Sequence, residues 1–402
     1  MKRGFLNSAK AKREPLYPSS KDTSGGATSA AVAPVTNSAT ANYLAKLDHR
    51  KLEDTALPKN YIPEKLKIEE SDWNKVDFED KNTLLMTTIP QSYIDGPNDP
   101  DGHSEWMVKA STKLKVITAP GYPKSTPKPR MPNICTVKET PNMGFGLFAT
   151  ADIGPNELIF SERPLIVYPK SIMGVTLDEL NQYSRLDWKK IALHEWERKL
   201  EYLVGRMNDD DQKAYRSLWN SHTEDGSGPL LGIARTNGYS ISLHDGPVKT
   251  TTNTYAAVGK LASRINHSCL ANVYQEFDVP SFSIQHKARY SIKAGEQIFY
   301  AYCRLDLTAA ERRLELEPYG VVCTCSVCVN ATPETDILHK ECARRVEVIR
   351  DLLNRSASNV KMVDRLVEEG IEMQQAMLKE GLDNVDAYVD LIDLLVAVRA
   401  RI

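Results

Sequence analysis

The chain has 402 residues, 41% of them hydrophobic and 26% charged, with 51 Lys and Arg against 53 Asp and Glu and a formal net charge of −2. That is globular composition, long enough for about two or three domains, without the basic excess of a general nucleic-acid binder. Seven cysteines, no apolar core after Met1-Lys2-Arg3 and no run near the roughly 20 apolar residues of a membrane span argue against a signal peptide, a disulfide framework and a membrane protein.

Residues 1–45 are rich in Ser, Thr, Ala, Gly and Lys without apolar periodicity, and read as a disordered basic tail. Within it, Lys2, Arg3, Lys10, Lys12 and Arg13 fit a solvated tail or a nuclear address. Residues 46–132 are charged and punctuated by Pro. They read as an irregular extension with one or two strands near Leu84-Leu85-Met86 and Val116-Ile117.

The texture changes at about 133. Short strand-like runs at Ile134–Val137, Gly146–Thr150, Leu158–Phe160 and Leu165–Tyr168 are separated by turn signals such as Pro141-Asn142 and Gly154-Pro155-Asn156. Helical spacing follows. Leu177, Leu180 and Tyr183 fit one face, Trp196, Leu200, Leu203 and Val204 a second, and Asp209–Asp211 start a third helix. Strands return at Tyr239–Leu243, Val273–Phe277, Phe282–His286 and Ile298–Tyr302. A helical insert, about 175–232, thus divides one β-rich domain spanning 133–303, and the fold class is α+β.

Thr308-Ala309-Ala310-Glu311 is a capping-box signature for a short helix that stops near Tyr319-Gly320. Residues 334–402 read as helical throughout. The stripes Leu338, Cys342, Val346, Ile349, Leu353, then Val363, Leu366, Val367, Ile371, then Tyr388, Leu391, Ile392, Leu395 are packing faces.

Four motifs carry chemistry. Gly144-Phe145-Gly146 permits close backbone approach, to a ligand or in a tight bend. Asn266-His267-Ser268-Cys269 offers hydrogen-bonding side chains in a turn; a thiol-protease pair of His267 with Cys269 is disfavoured, because such pairs converge from distant segments. Gly295-Glu296 leads into a strand that sets Tyr300 and Tyr302 on one face. Cys323-x-Cys325-x-x-Cys328 makes most of a zinc site, which needs a fourth ligand. Cys269 is the first choice, which requires the chain to fold back onto the Asn-His turn; Cys342 and Cys303 are alternatives.

In this order the four motifs resemble a SET domain with its post-SET zinc segment (residues 304–330). Arg264–Cys269 with Asn272 matches R-x-N-H-S-C-x-P-N, except that Ala271 replaces Pro; Gly295–Tyr302 is similar to G-E-E-L-x-F-x-Y. The insert and helical C-terminus look most like the fungal relatives of the SMYD branch, although no MYND finger follows Tyr168. Thr236-Asn237-Gly238-Tyr239 resembles that branch's N-S/G-F segment, and Val321 stands where an aromatic residue often covers the adenine.

The resemblance implies methyl transfer from S-adenosylmethionine to a lysine of a protein, histone or non-histone. It implies Tyr302 at the reacting amine and Gly144, Phe145, Gly146, Asn237, Asn266 and His267 at the cofactor. It also implies zinc on Cys269, Cys323, Cys325 and Cys328, and Tyr300 where the number of methyls is tuned, with a lean toward low methylation states. The expected protein is soluble, intracellular in nucleus or cytoplasm, monomeric, and without membrane or direct nucleic-acid contacts. Rival readings are a SET-like binding scaffold with weak or no catalysis, a methyltransferase for small molecules or other residues, and a purely structural zinc protein.

Overall fold

The computed structural model describes residues 49–63, 69–70, 84–90, 99–170, 183–243, 254–355, 359–383 and 385–399. The expected basic tail and the Leu177–Leu180 stripe lie outside these residues.

Among the described residues the largest sheet has six strands. It holds β1 (Glu69–Glu70), β2 (Leu84–Ile89), β3 (Ser104–Lys109), β7 (Ile166–Pro169), β9 (Thr254–Val258) and β8 (Tyr239–Ser242), in that spatial order. The region before 133, expected to be mostly irregular, therefore contributes three strands to the sheet that β7–β9 complete. Val116-Ile117, an expected strand, instead ends helix α1 (Ala110–Ile117), where Val116 is buried on one face.

Side chains alternate across this sheet, and both faces are covered. Met86, Met107, Ile166, Tyr168, Ala256 and Val258 face helices α2 (Arg185–Gly205) and α4 (Pro229–Asn237). Leu85, Trp106, Val108, Val167, Tyr255 and Ala257 face Phe282 and Ile284 on the other side. Burial on both faces gives continuous apolar runs, which hide the strand period of two. Each large side chain so buried contributes about 1.5–3 kcal/mol.

The insert is helical because its ends are capped. Ser184 accepts the Asp187 N–H at 3.1 Å to start α2, and Asn208 accepts that of Asp211 at 2.9 Å to start α3 (Asp209–Arg216). Helix α4 starts on Pro229, and the Glu197 carboxylate takes the N–H groups of Leu230 (2.9 Å) and Leu231 (2.7 Å). This helix runs past the expected end of the insert, to Asn237.

A four-stranded sheet comprises β10 (Asn266–His267), β13 (Gln297–Tyr300), β5 (Gly144–Ala149) and β4 (Cys135–Thr140) in spatial order. A three-stranded sheet orders β11 (Val273–Asp278), β12 (Ser283–Ala288) and β6 (Leu158–Glu162). Leu147, Ile159, Val273, Ala288 and Ile298 join the two in one core.

After the sheets, Thr308 and Glu311 form the anticipated reciprocal cap on α5 (Ala309–Leu316), and Gly320 (φ 65°) stops the turn that follows. Then come α6 (Ser326–Val329), α7 (Pro333–Arg355), α8 (Val360–Lys379) and α9 (Asp386–Arg399). Leu338, Cys342, Val346, Leu366, Leu391 and Leu395 share a core with Cys269, Cys303 and Cys328. No helix among the described residues is long and apolar enough to cross a membrane.

Candidate functional site

The turn at 260–264 organises the site. Glu162, at the end of β6, accepts the N–H groups of Lys260 (3.1 Å), Leu261 (2.9 Å) and Ala262 (2.7 Å) on its carboxylate. Two carbonyls, one in this turn and one just past it, take tyrosine hydroxyls. Tyr239 donates to Ala262 O at 2.9 Å, and Tyr302 donates to Ile265 O.

These tyrosines line a cavity of about 240 Å³, together with Tyr300, Tyr319, Asn237 and Ser263, and with Lys170 and Ser240 at its wall. The rings of Tyr239 and Tyr300 lie 5.2 Å apart, and those of Tyr302 and Tyr319 5.5 Å. Burial raises the pKa of Tyr239, Tyr300 and Tyr319, so all three stay protonated at neutral pH. Burial lowers that of Lys170, whose ammonium contacts the Ser240 hydroxyl. Behind the cavity His286 is fully buried, stacked on Phe160 at 4.9 Å and edge-on to Tyr239 at 5.4 Å; burial lowers its pKa to about 3.

Asn237 ends α4 with its Nδ2 donating to Trp219 O (2.7 Å) and Ile233 O (2.8 Å). Asn266 Nδ2 donates to Phe145 O at 3.1 Å. With nitrogen committed to carbonyls, each amide leaves Oδ1 without a bond among the described residues. Both are acceptors suited to the N–H groups of a cationic head group.

Gly146 lets Asn266 approach β5. A Cβ there would lie 2.5 Å from Gln297 Nε2 and 2.9 Å from Asn266 Nδ2. Gly144 adopts φ 64°, a conformation that favours glycine. Arg264 covers the Phe145 ring at 5.7 Å.

Alternation along β10 sends His267 the other way from Asn266. Its Nδ1 accepts the Tyr302 backbone N–H at 3.0 Å, and its Nε2 lies 3.6 Å from Cys269 Sγ. Burial works against a charge on this ring, while Cys303 and Cys323 raise its pKa to about 9. The Tyr302 N–H nevertheless requires a bare Nδ1, so the proton sits on Nε2 and points at sulfur.

Cys269 meets the C-terminal cysteines here. The Sγ atoms of Cys269, Cys323, Cys325 and Cys328 all lie within 4.8 Å of one another, with Cys269 3.9 Å from Cys323 and 3.4 Å from Cys328. Tetrahedral zinc with Zn–S of about 2.3 Å needs S···S edges of about 3.8 Å, so the donor set fits. His267, Cys269 and Cys303 form a second group within 4.8 Å. A ligating Nε2 would put the proton on Nδ1 against the Tyr302 N–H, which disqualifies His267 as a ligand there. Cys342 is turned onto its own helix, with Sγ 3.5 Å from His339 O.

Of the residues singled out from the sequence, Tyr302, Tyr300 and Asn237 share the cavity wall. Gly144, Phe145, Gly146 and Asn266 lie one strand away, outside that wall, and the His267 ring faces the thiols. The sequence reading missed Ser263, Lys170 and Arg312, and saw in Tyr319 only a helix stop. Arg312 is fully buried with Nη2 3.8 Å from Cys328 Sγ.

Residues 144–303 match the SET domain family. The chain is also 29% identical over 196 residues to a Schizosaccharomyces pombe protein named histone-lysine N-methyltransferase set5; the match covers 48% of this chain and 50% of that protein. The chain thus aligns with about half the length of this curated relative. The Asn-His edge strand, the Gly144–Gly146 strand and the cavity residues Asn237, Tyr239, Tyr300 and Tyr302 lie inside the matched span, with Tyr319 beyond it, so the chain carries a SET domain over residues 144–303.

Proposed function

We propose that the protein is an S-adenosylmethionine-dependent methyltransferase acting on a lysine side chain of a protein. The observation that carries this reading is the convergence of Tyr239, Tyr300, Tyr302 and Tyr319 with Asn237 on one small cavity within and beside the SET span. The name of the fission-yeast relative favours a histone as substrate.

When bound, the cofactor supplies a methyl group on a cationic sulfur. The protein must then present a neutral amine in line with it. Free lysine has a pKa of about 10.4 and is cationic at neutral pH; a tyrosine-walled cavity disfavours the charged form. Tyr302 donates its proton to Ile265 O, so its oxygen keeps lone pairs that accept from the amine and orient it. Holding the amine in line supplies much of the acceleration.

Asn237 and Asn266 hold the cofactor through their free Oδ1 atoms, and Gly144, Phe145 and Gly146 through backbone. His267 contributes its backbone on the edge strand β10, since its ring is engaged elsewhere. Tyr300 crowds the cavity and limits the number of methyls added.

Cys269, Cys323, Cys325 and Cys328 hold zinc. Four protein ligands close the coordination sphere, so this ion is structural. In this reading 133–303 is the SET domain, 304–330 the post-SET segment and 334–402 a helical region like that of the SMYD branch. The protein acts as a monomer in nucleus or cytoplasm, and a net charge of −2 argues against a nucleic-acid surface of its own.

The test incubates labelled cofactor and histone or lysate proteins with wild type and Tyr302→Phe. Transfer by wild type that falls in the variant supports the reading. Equal transfer by both removes Tyr302 from the mechanism, and cofactor binding without transfer to any protein leaves a binding module.

A further inference from the structure

Arg312 lies on α5 with no exposed surface. Its Nη1 donates to Leu307 O at 2.6 Å and stands 3.1 Å from His339 Nδ1; its Nη2 points at Cys328 Sγ, 3.8 Å away. No carboxylate pairs with it among the described residues. A guanidinium keeps its proton in proteins, and burying it without a counter-charge is among the costliest arrangements a fold can hold. The negative charge it faces must therefore reside on sulfur. Four thiolates on one divalent ion leave two negative charges in a buried place, which matches the need.

The guanidinium is braced from the far side. His339, on α7, is 1% exposed; its Nδ1 also contacts Leu305 O, and its Nε2, without a hydrogen bond among the described residues, lies 3.4 Å from Glu380 Oε2 at the end of α8. The contacts run from Cys328 through Arg312 and His339 to Glu380 and tie the C-terminal helices to the thiols.

We propose that Arg312 is the counter-cation of the thiolate metal centre, and that His339 and Glu380 hold it in place from the C-terminal helices. The inference rests on the four-cysteine metal reading given under the proposed function. It assigns to the helical region a role in metal retention and, through Cys269 and His267, in the placement of Tyr302.

Full-length wild type, Arg312→Met, Arg312→Lys, Glu380→Gln and Cys325→Ser are compared by metal content and by competition with a chromogenic chelator. Cobalt-substituted samples add the thiolate-to-metal charge-transfer band. Arg312→Met should bind metal about 10- to 100-fold more weakly, the usual effect of losing a partner of a metal ligand. Its charge-transfer band should move to lower energy, because the thiolate loses a hydrogen bond. Arg312→Lys should recover part of the affinity, and Glu380→Gln should lose less than Arg312→Met. A folded Arg312→Met that holds metal as tightly as wild type, with an unmoved band, overturns the proposal. Should Arg312→Met fail to fold, Glu380→Gln decides: weaker binding supports the proposal and unchanged binding overturns it. A metal-free wild type, or full metal retention in Cys325→Ser, sinks the four-cysteine reading itself and the proposal with it.

Discussion

The Tyr302 backbone N–H donates to His267 Nδ1 across 3.0 Å, while Nε2 of the same ring stands 3.6 Å from Cys269 Sγ. One neutral imidazole thus links the backbone of the proposed catalytic tyrosine to the thiol cluster. His267→Ala should weaken metal binding about 10- to 100-fold and lower methyl transfer in the same protein. Chelator competition and labelled transfer measured side by side check this. Lost transfer with unchanged metal affinity would cut the link.

Tyr302→Phe should leave the fold intact, costing about 1 kcal/mol for the bond to Ile265 O. Transfer should fall on the order of a hundredfold, the scale for removing one oriented polar group at a reacting centre. Thermal unfolding and single-turnover transfer read the two effects separately.

Glu162→Gln keeps the shape but turns one of the oxygens that accept the Lys260, Leu261 and Ala262 N–H groups into a donor. A buried donor left unsatisfied costs about 1–3 kcal/mol, so denaturant unfolding should report a loss of that order. Because Ala262 O and Ile265 O anchor Tyr239 and Tyr302, kcat should drop more than KM changes. A pure stability loss with normal kcat would count against a positioning role for this turn.

Gly146→Ala should destabilise by about 1–3 kcal/mol through overpacking, since its Cβ would meet Gln297 Nε2 at 2.5 Å and Asn266 Nδ2 at 2.9 Å. It should also weaken cofactor binding by displacing Asn266. Gly154→Ala is the control, because there the nearest atom is Glu157 Oε2 at an ordinary 3.6 Å. Melting temperatures of the two variants should differ accordingly.

His286 is buried with both ring nitrogens unpartnered among the described residues, and its pKa is lowered from 6.5 to about 3. A depressed histidine binds its proton more readily when unfolded. Its neutral burial is thus fully compatible with folding above pH 6.5, and stability is lost as pH falls from there toward 3, by up to about 1.4 kcal/mol per pH unit. His286→Leu should flatten that slope and cost little at neutral pH, because an unpaired polar group is replaced by an apolar one. Some slope should persist, since burial also depresses His222 and His339. Unfolding measured across this range in both proteins checks the sign.

Local chemistry was legible where it acts over a few residues. The Thr308–Glu311 cap, the start of α3 at Asp209–Asp211 and the buried stripe Trp196, Leu200, Leu203, Val204 follow from spacing alone, because cap bonds and helical faces are set within one or two turns. The strands before 133 were mostly missed for the opposite reason. Leu84–Ile89 was legible as an apolar run, but Ser104–Lys109 has Met107 and Trp106 covered on opposite faces by segments far along the chain, so it shows no alternation to read.

The sequence by itself determined the residue types of the site, the order of its motifs and the count of thiols near the C-terminus. Tertiary structure alone decided which groups meet. Cys269 and Cys328, 59 residues apart in sequence, meet at the core that α7–α9 share with the thiols. Arg312 and Arg313 are neighbours of the same chemistry, yet the rotation of α5 about its axis buries the first beside sulfur and leaves the second in water. Helix phase and strand register depend on packing summed over the whole fold, and that information is spread through residues far from the site.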